Sequence, residues 1–328
     1  MENNLKDKDY VLVIGSSNMD LNIYSEKLPT PGETITGGVF RQCLGGKGAN
    51  QAVASVRDGS TTFFIGKIGI DTLGDQMIQN LQQEGVNISH LVRDPQSHSG
   101  VAFIMIDAEG ENMISVAPGA NVLLHPKEIH DRADIVREAK SLIVQMEIPL
   151  ETIERIFSIA SEGECIKILN PAPMKNLPKS IFQKIDILVP NEGELRALHS
   201  ILGFKRDWDE GTPRIKQVEQ IARSLSSLGT PTVITTLGAK GCLIYEDKKD
   251  SCITVPAFKV RAVDTVGAGD CFCGVLTSEL SKQKPLLEAV KYATCAASIA
   301  VTRRGAQASL PYYEEIIARV QQYESINQ

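Results

Sequence analysis

Residues 261–274 read R-A-V-D-T-V-G-A-G-D-C-F-C-G, and this stretch decides the fold. The β-branched run ending at Asp264-Thr265-Val266 reads as a strand or extended segment. Gly267-Ala268-Gly269 reads as a turn, and Phe272, Val275, Leu276 and Leu280 recur at helical spacing. The first turn of a helix leaves backbone N–H groups without partners and places partial positive charge beside them. Small residues at 267–269 let an anion approach that backbone. Asp270 then stands beside an anion site, an odd position for a carboxylate unless it handles a proton. A plain helix start with glycine and an early aspartate remains the alternative on this stretch alone.

Upstream, Val11-Leu12-Val13-Ile14-Gly15 reads as a buried first strand. The polar set Ser16–Asp20 follows it. The G-S-S-N-M-D of this junction lacks the glycine spacing of a dinucleotide-binding turn. Pro29, Pro31, Gly32, Gly37 and Gly38 exclude a helix over 21–44, with Thr34-Ile35-Thr36 and Val39-Phe40 expected as short strands. Gly45-Gly46-Lys47-Gly48-Ala49-Asn50-Gln51 leads into a helix through Ala52, Val53, Ala54 and Val56. No P-loop motif occurs anywhere. Phe63–Gly66 reads as a strand, and 71–84 as a helix capped by Asp71 with an apolar face of Leu73, Met77, Ile78 and Leu81. Residues 101–107 and 113–116 flank a hairpin turn at 108–111, which can pair with the 34–44 segment as a small lid.

From residue 141 strands and helices alternate. Strands are expected at 142–146, 165–169, 187–189, 232–235 and 242–245, and helices at 150–161, 191–199, 214–228, 269–281, 285–302 and 312–323. Alternating βα units imply a parallel sheet covered on both faces. Phe204–Pro213, with the sole tryptophan Trp208, reads as a surface loop. Several strands end in polar residues: Asp20, Glu147, Asn191 with Glu194, Thr235-Thr236, and Asp270. In a parallel sheet these ends line one edge, where ligands bind. Taken singly, Asn191-x-x-Glu194 is equally a capping box and Lys47 a solvated lysine.

Bulk composition narrows the classes. The 328 residues carry 34 Lys plus Arg against 40 Asp plus Glu, a formal charge of −6. Without a basic run there is no footprint for nucleic acid or an anionic membrane. No apolar stretch is long enough to span a bilayer. The polar M-E-N-N-L-K-D-K-D-Y start is not expected to be a signal peptide. Seven cysteines without metal-type spacing suit a reducing, cytoplasmic compartment with thiols as small core residues. Cys271 and Cys273 are expected on different faces of one helix.

Three motifs together, G-G-K-G-A-N-Q at 45–51, N-x-x-E at 191–194 and D-T-V-G-A-G-D at 264–270, resemble the ribokinase-like (PfkB-type) carbohydrate kinases. The resemblance runs from about Val11 to about Tyr313. N-M-D at 18–20 and V-T-R-R-G-A-Q at 301–307 narrow it to members that phosphorylate ribose. It implies an α/β three-layer sandwich with a mostly parallel central sheet, one domain over 1–328, and a β-sheet lid from about 21–44 and 99–117. It further implies homodimers joined through the lids, and transfer of phosphate from ATP to the 5-hydroxyl of D-ribose with Mg²⁺ and an activating K⁺. A kinase for another small sugar or nucleoside, or a non-catalytic sugar-binding relative, are the alternatives.

Carried over by position, the resemblance makes Asp270 the base and Gly267, Ala268 and Gly269 the anion hole. Asn18, Asp20, Gly46, Lys47, Gly48, Ala49, Asn50 and Glu147 hold the sugar. Asn191, the loop Thr236, Leu237, Gly238, Ala239, Lys240 and Gly241, then Gly269 and Thr294, hold ATP. Glu194 organises Mg²⁺ through water. K⁺ takes the Asp264 side chain, carbonyls of Val266, Ala300, Arg303 and Gly305, and the Ser309 hydroxyl. Relatives often have Thr where Val266 stands, a change a carbonyl ligand tolerates. The chemistry is consistent with these roles: phosphoryl transfer asks mainly for positioning and charge stabilisation, and a polyhydroxylated sugar needs several paired polar groups.

Overall fold

The computed structural model describes residues 9–205 and 210–327. Residues 206–209 of the expected Trp208 loop, and residues 1–8 of the polar start, lie outside the described residues. In chain order the strands are β1 (Val11–Ile14), β2 (Asn18–Tyr24), β3 (Val39–Gly45), β4 (Thr62–Ile65), β5 (Lys67–Gly69), β6 (Val92–Asp94) and β7 (Gly100–Ile106). They continue as β8 (Asn112–Ala117), β9 (Ser141–Val144), β10 (Ile166–Leu169), β11 (Ile187–Leu188), β12 (Thr232–Thr236), β13 (Cys242–Glu246) and β14 (Ser251–Val255).

The main sheet has the order β14-β13-β12-β11-β10-β9-β1-β4. It is parallel from β4 through β12, and β13 and β14 add an antiparallel edge. Its three layers follow from the two-residue period of a strand. In β1, Leu12 and Ile14 enter one apolar core and Val11 and Val13 the other, all without exposed surface. The first core is closed by the helices Leu150–Ala160, Glu192–Ile201 and Arg214–Ser226. The second is closed by Lys47–Arg57, Ala268–Ser281 and Leu286–Ala300. Each such buried aliphatic side chain contributes about 1.5–3 kcal/mol, which is why a run of four apolar residues suffices to seat this strand between β9 and β4.

A separate four-stranded sheet has the order β3-β2-β7-β8. Here β2 sits centrally, antiparallel to β3 and parallel to β7. Three sequence expectations change. Thr34–Thr36 is not a strand. The chain re-enters β structure at Asn18, not beyond Asp20, and β2 rather than the 34–44 segment meets the second hairpin. The alternation Met19, Leu21, Ile23 against Asn18, Asp20, Asn22 is a period-2 signal, and it carries Asn18 and Asp20 on one face of this sheet. The segment before Gly267 is also not a strand: from Pro256 to Val266 the chain runs outside any sheet. Asp270 therefore reaches the sheet edge at the start of a helix fed by a loop, not at the end of a strand.

The helix after β3 begins at Lys47, several residues earlier than the apolar run suggests. Gly46 makes this possible. Its φ is 87°, and a Cβ there would lie 2.6 Å from the Asn18 backbone nitrogen. The short pair β5–β6, β14, and the helices Pro126–His130 and Ala133–Glu138 carried no clear sequence pattern.

Candidate active site

The helix Ala268–Ser281 starts at Gly267, which adopts φ 74°. Gly269 faces open space, with no atom within 4 Å of where a Cβ would stand. The bend is thus accessible from solvent while the next residue, Asp270, is buried, 7% exposed. Ala268 N–H makes a long bond to Thr265 O at 3.3 Å. Asp270, Gly267 and Gly269 line a cavity of about 230 Å³ together with Lys47, Asn170, Asn191, Glu194 and Thr236. Its lining is mostly polar, as a phosphate requires.

A second cavity of about 600 Å³ opens on the other side of the same bend. Thr236, Gly238, Ala239, Gly241, Gly269 and Thr294 line it, with Phe258, Val260, Phe272, Ala297, Ser298 and Val301. The two cavities share Thr236, Thr265 and Gly269. An apolar chamber of this size suits a flat heterocycle, with its charged end directed to the polar cavity. Leu237 and Lys240 do not line it; Leu237 N–H instead closes the loop onto Gly241 O at 2.7 Å. Asn191 lies in the polar cavity rather than the apolar one. Ala297, Ser298 and Val301 went unassigned in the sequence, yet they follow Thr294 at +3, +4 and +7 on one helix face. Phe258 sits in an irregular segment and had no such signal.

The Lys47–Arg57 helix builds the opposite wall. Its first N–H groups are capped from within: Lys47 N–H by Glu147 Oε2 at 3.2 Å, Gly48 N–H by Ser16 Oγ at 3.4 Å, and Ala49 N–H by Ser16 O at 2.8 Å. Ser16 Oγ in turn donates to Glu147. Ala49 is buried in the core. Asn50 Nδ2 donates to Asp270 Oδ2 at 2.8 Å, while Asn50 Oδ1 is buried with no hydrogen-bond partner. A buried acceptor left open is costly unless a ligand hydroxyl completes it.

Asp20 projects from β2 under Gly45, where any side chain would strike its carboxylate. Burial raises its pKa to about 7, and the charges of Glu147 and Asp270 add to the rise. Asn18 Oδ1 accepts from Asn121 Nδ2 at 2.8 Å, which fixes its amide. Lys47 supplies the opposite charge: Asp270, then Glu147 and Glu194, raise its pKa against the effect of burial. Glu194 is raised by burial. It also completes the capping box, Asn191 N–H to Glu194 Oε2 and Glu194 N–H to Asn191 Oδ1, both at 2.8 Å. The plain and the functional reading of this pair thus coexist, since both residues also line the polar cavity. Cys273, beside them, is held as a neutral thiol by burial.

Behind the bend, Asp264 Oδ1 accepts Val266 N–H at 3.0 Å and Oδ2 accepts Gly305 N–H at 2.9 Å. Val263 N–H bonds Val301 O at 2.7 Å. The carboxylate thereby ties the turn before Gly267 to the 301–309 segment. Ser309 is fully buried and donates to Ala306 O at 2.8 Å, which leaves its oxygen lone pairs free. Ala300 O takes Arg303 N–H at 3.0 Å, and the Arg303 guanidinium pairs with Glu315, so only its carbonyl is on offer. Among the described residues no cluster of three or more His, Cys, Asp or Glu could hold a metal.

A helix start open to an anion, a buried carboxylate beside it and a cluster of amides and carboxylates facing both form the layout of a sugar-directed phosphotransferase. A family model described as pfkB family carbohydrate kinase matches residues 8–312. The chain belongs to the pfkB family of carbohydrate kinases. It is 35% identical to a ribokinase from Staphylococcus aureus over 308 residues, 93% of this chain and 98% of that protein. It is also 35% identical to a deoxyribokinase from Salmonella typhi over 319 residues, 97% of this chain and 99% of that protein. The crystal structure of Arabidopsis thaliana ribokinase complexed with ribose and ATP superposes with a TM-score of 0.87 at 29% identity, covering 95% of this chain and 98% of that one.

Proposed function

We propose that this chain is a ribokinase: it transfers the terminal phosphoryl group of ATP to the 5-hydroxyl of D-ribose, giving D-ribose 5-phosphate. The observation that carries this reading is the pairing of an accessible 267–269 bend with the buried Asp270 in one polar cavity. The sugar hydroxyl donates its proton to Asp270 as its oxygen attacks the terminal phosphorus, and the bond from that phosphorus to the bridging oxygen breaks to release ADP. Charge that builds on the phosphoryl oxygens is met by the N–H groups of the bend and by the helix dipole. Asn18, Asp20, Asn50 and Glu147, with the backbone at Gly46, hold the other hydroxyls, whereas the N–H groups of Gly48 and Ala49, expected at the sugar, are taken up by Ser16. Lys47 balances the carboxylates. The apolar chamber takes the adenine, and the Thr236–Gly241 loop, Asn191 and Gly269 hold the phosphates.

The residues present fit both implied cations. Mg²⁺ would ride on the ATP phosphates, with Glu194 engaging its water shell, and would neutralise phosphate charge. K⁺ would be held by Asp264, Ser309 and the carbonyls of Val266, Ala300, Arg303 and Gly305, stiffening the bend from behind.

The four-stranded sheet acts as a lid. Its register puts Ile23, Phe40, Phe103 and Met113 on the face opposite Asn18 and Asp20, with exposures of 37%, 56%, 54% and 50%. So much apolar surface on one small sheet supports a homodimer joined lid to lid. Seven free cysteines suit the cytoplasm.

The test is ATP consumption over a panel of pentoses, hexoses and nucleosides with Mg²⁺ and K⁺ present. D-ribose is expected to be turned over fastest; ribose-independent ATP use alone would refute the assignment. The equal identity to a deoxyribokinase makes 2-deoxyribose the competing substrate, and the ratio of kcat/KM for the two sugars separates the readings.

A further inference from the structure

Of the polar side chains in the 45–51 motif, Gln51 is the one without a role in the reading above. It has no exposed surface, yet its amide is fully engaged. Nε2 donates to Asp270 Oδ1 at 3.1 Å and to Asn170 Oδ1 at 3.1 Å. Its own carbonyl accepts from Gln145 Nε2 at 2.6 Å. Asn170 closes the row by donating to Val189 O at 2.9 Å. Gly274 allows this approach: any side chain there would strike the Gln51 backbone carbonyl, so the 47–57 and 268–281 helices touch main chain to main chain.

We infer that Gln51 is a positioning residue for the base, and that the amide row Gln145–Gln51–Asp270 assigns different jobs to the two carboxylate oxygens. This rests on the reading of Asp270 as the base. An ionised carboxylate only accepts hydrogen bonds, so the Gln51 NH₂ must face it. Its two hydrogens find two acceptors, Asp270 Oδ1 and Asn170 Oδ1. The Gln51 carbonyl is then turned away and requires a donor, which Gln145 supplies. A reversed Gln51 would put carbonyl against carboxylate and NH₂ against NH₂. The polarity of the row is therefore fixed from Asp270 outward.

Because Gln51 lies wholly inside the protein, Oδ1 is the anchored oxygen. Among the described residues Oδ2 is bonded only to Asn50, whose amide oxygen waits for a sugar hydroxyl. Oδ2 is the oxygen that takes the proton. Held at two points, the carboxylate cannot rotate about its last bond, and the accepting lone pair keeps its direction towards the alcohol. Gln145 Oε1 is buried without a partner. The row leaves an orphan acceptor at its far end rather than at the base.

The test compares Gln51→Met and Gln145→Met with the unaltered enzyme, using whichever sugar the unaltered enzyme phosphorylates. Turnover by the unaltered enzyme tests the function; the ratio of variant to parent tests the row. Gln51→Met keeps volume and removes one charge-assisted bond, so kcat is expected to fall about 10- to 100-fold, with the sugar KM within about threefold. Gln145→Met removes an orphan acceptor but also the donor that the buried Gln51 carbonyl requires, so it is expected to fold with a lower stability than the parent and with kcat down about 3- to 10-fold as Gln51 loses its anchor. The double variant should be no slower than Gln51→Met, because both act through one bond. Rates are taken per folded site, counted by nucleotide binding. A packing role would lower the folded fraction and leave kcat unchanged. A Gln51→Met kcat within twofold of the parent overturns the inference. If that variant does not fold, a parental kcat in Gln145→Met overturns it.

Discussion

Asp20→Asn separates what the proposed sugar pocket needs from what the fold prefers. The substitution keeps shape and removes a charge from a site that already holds Glu147 and Asp270. In the folded protein the Asp20 pKa stands near 7 against an ordinary 3.8, chiefly through burial. A raised carboxylate pKa contributes stability that is fully present below the unfolded value and is lost as pH rises through the folded one. At about 1.36 kcal/mol per pKa unit, the loss totals roughly 4 kcal/mol above pH 8, of which less than half has accrued by pH 5. The neutral amide of the variant has no such dependence. The stability difference in favour of the variant should therefore widen by about 2–3 kcal/mol between pH 5 and pH 8.5, or roughly 3–4 °C in Tm for a chain of this size. Melting of both proteins without ligands, in matched ionic strength, reads this directly. The same variant should bind sugar about 10- to 100-fold more weakly at pH 8.5, since a carboxylate acceptor has become a neutral amide. A Tm gap that is equal at the two pH values, or a variant less stable at pH 8.5, would refute the idea that the pocket holds Asp20 at a cost to the fold.

Asp270→Asn should lower kcat by at least about 10²–10⁴-fold while calorimetry still detects ribose; retained turnover would remove Asp270 from the base role. Replacing K⁺ by Na⁺ at constant ionic strength should reduce kcat, and equal rates in the two salts would discard the cation site at Asp264. At the far end of the Ala268–Ser281 helix, Lys282 pairs with Asp58 at 2.8 Å and Glu279 at 2.7 Å, and both carboxylates are wholly buried. Lys282→Met strands these charges, although Lys284 still reaches Glu279, and should cost about 2–4 kcal/mol in denaturant unfolding. An unchanged midpoint would show that the cluster is already neutral.

Read alone, the sequence determined the α/β sandwich, the family and the starts of most of the longer helices, though not that of the helix at Lys47. Each of these is written in local pattern: four apolar residues before Gly15, helical spacing after Gly269, and motifs whose spacing is fixed by one turn of backbone. It also marked Asn18, Asp20, Lys47, Asn50, Glu147, Asn191, Glu194 and Asp270. It did not show that β2 starts at Asn18, though the alternation was there, because a polar cluster near a ligand edge reads equally well as a loop. Nor did it show that 261–266 runs outside any sheet, since β-branched residues suit an extended loop as well as a strand.

Only the tertiary structure decided which of these groups touch. Asn50 and Gln51 meet Asp270 across about 220 residues of chain because Gly274 lets two helices approach, and Gln145 and Asn170 join them from the positions just past strands β9 and β10. It also decided that the Asp20 pKa is raised, which depends on how much water its neighbours exclude. Local pattern fixes where the backbone turns and which face is apolar. Which oxygen of a carboxylate is anchored, and which is left to act, depends on contacts between residues far apart in sequence, and no local period encodes them.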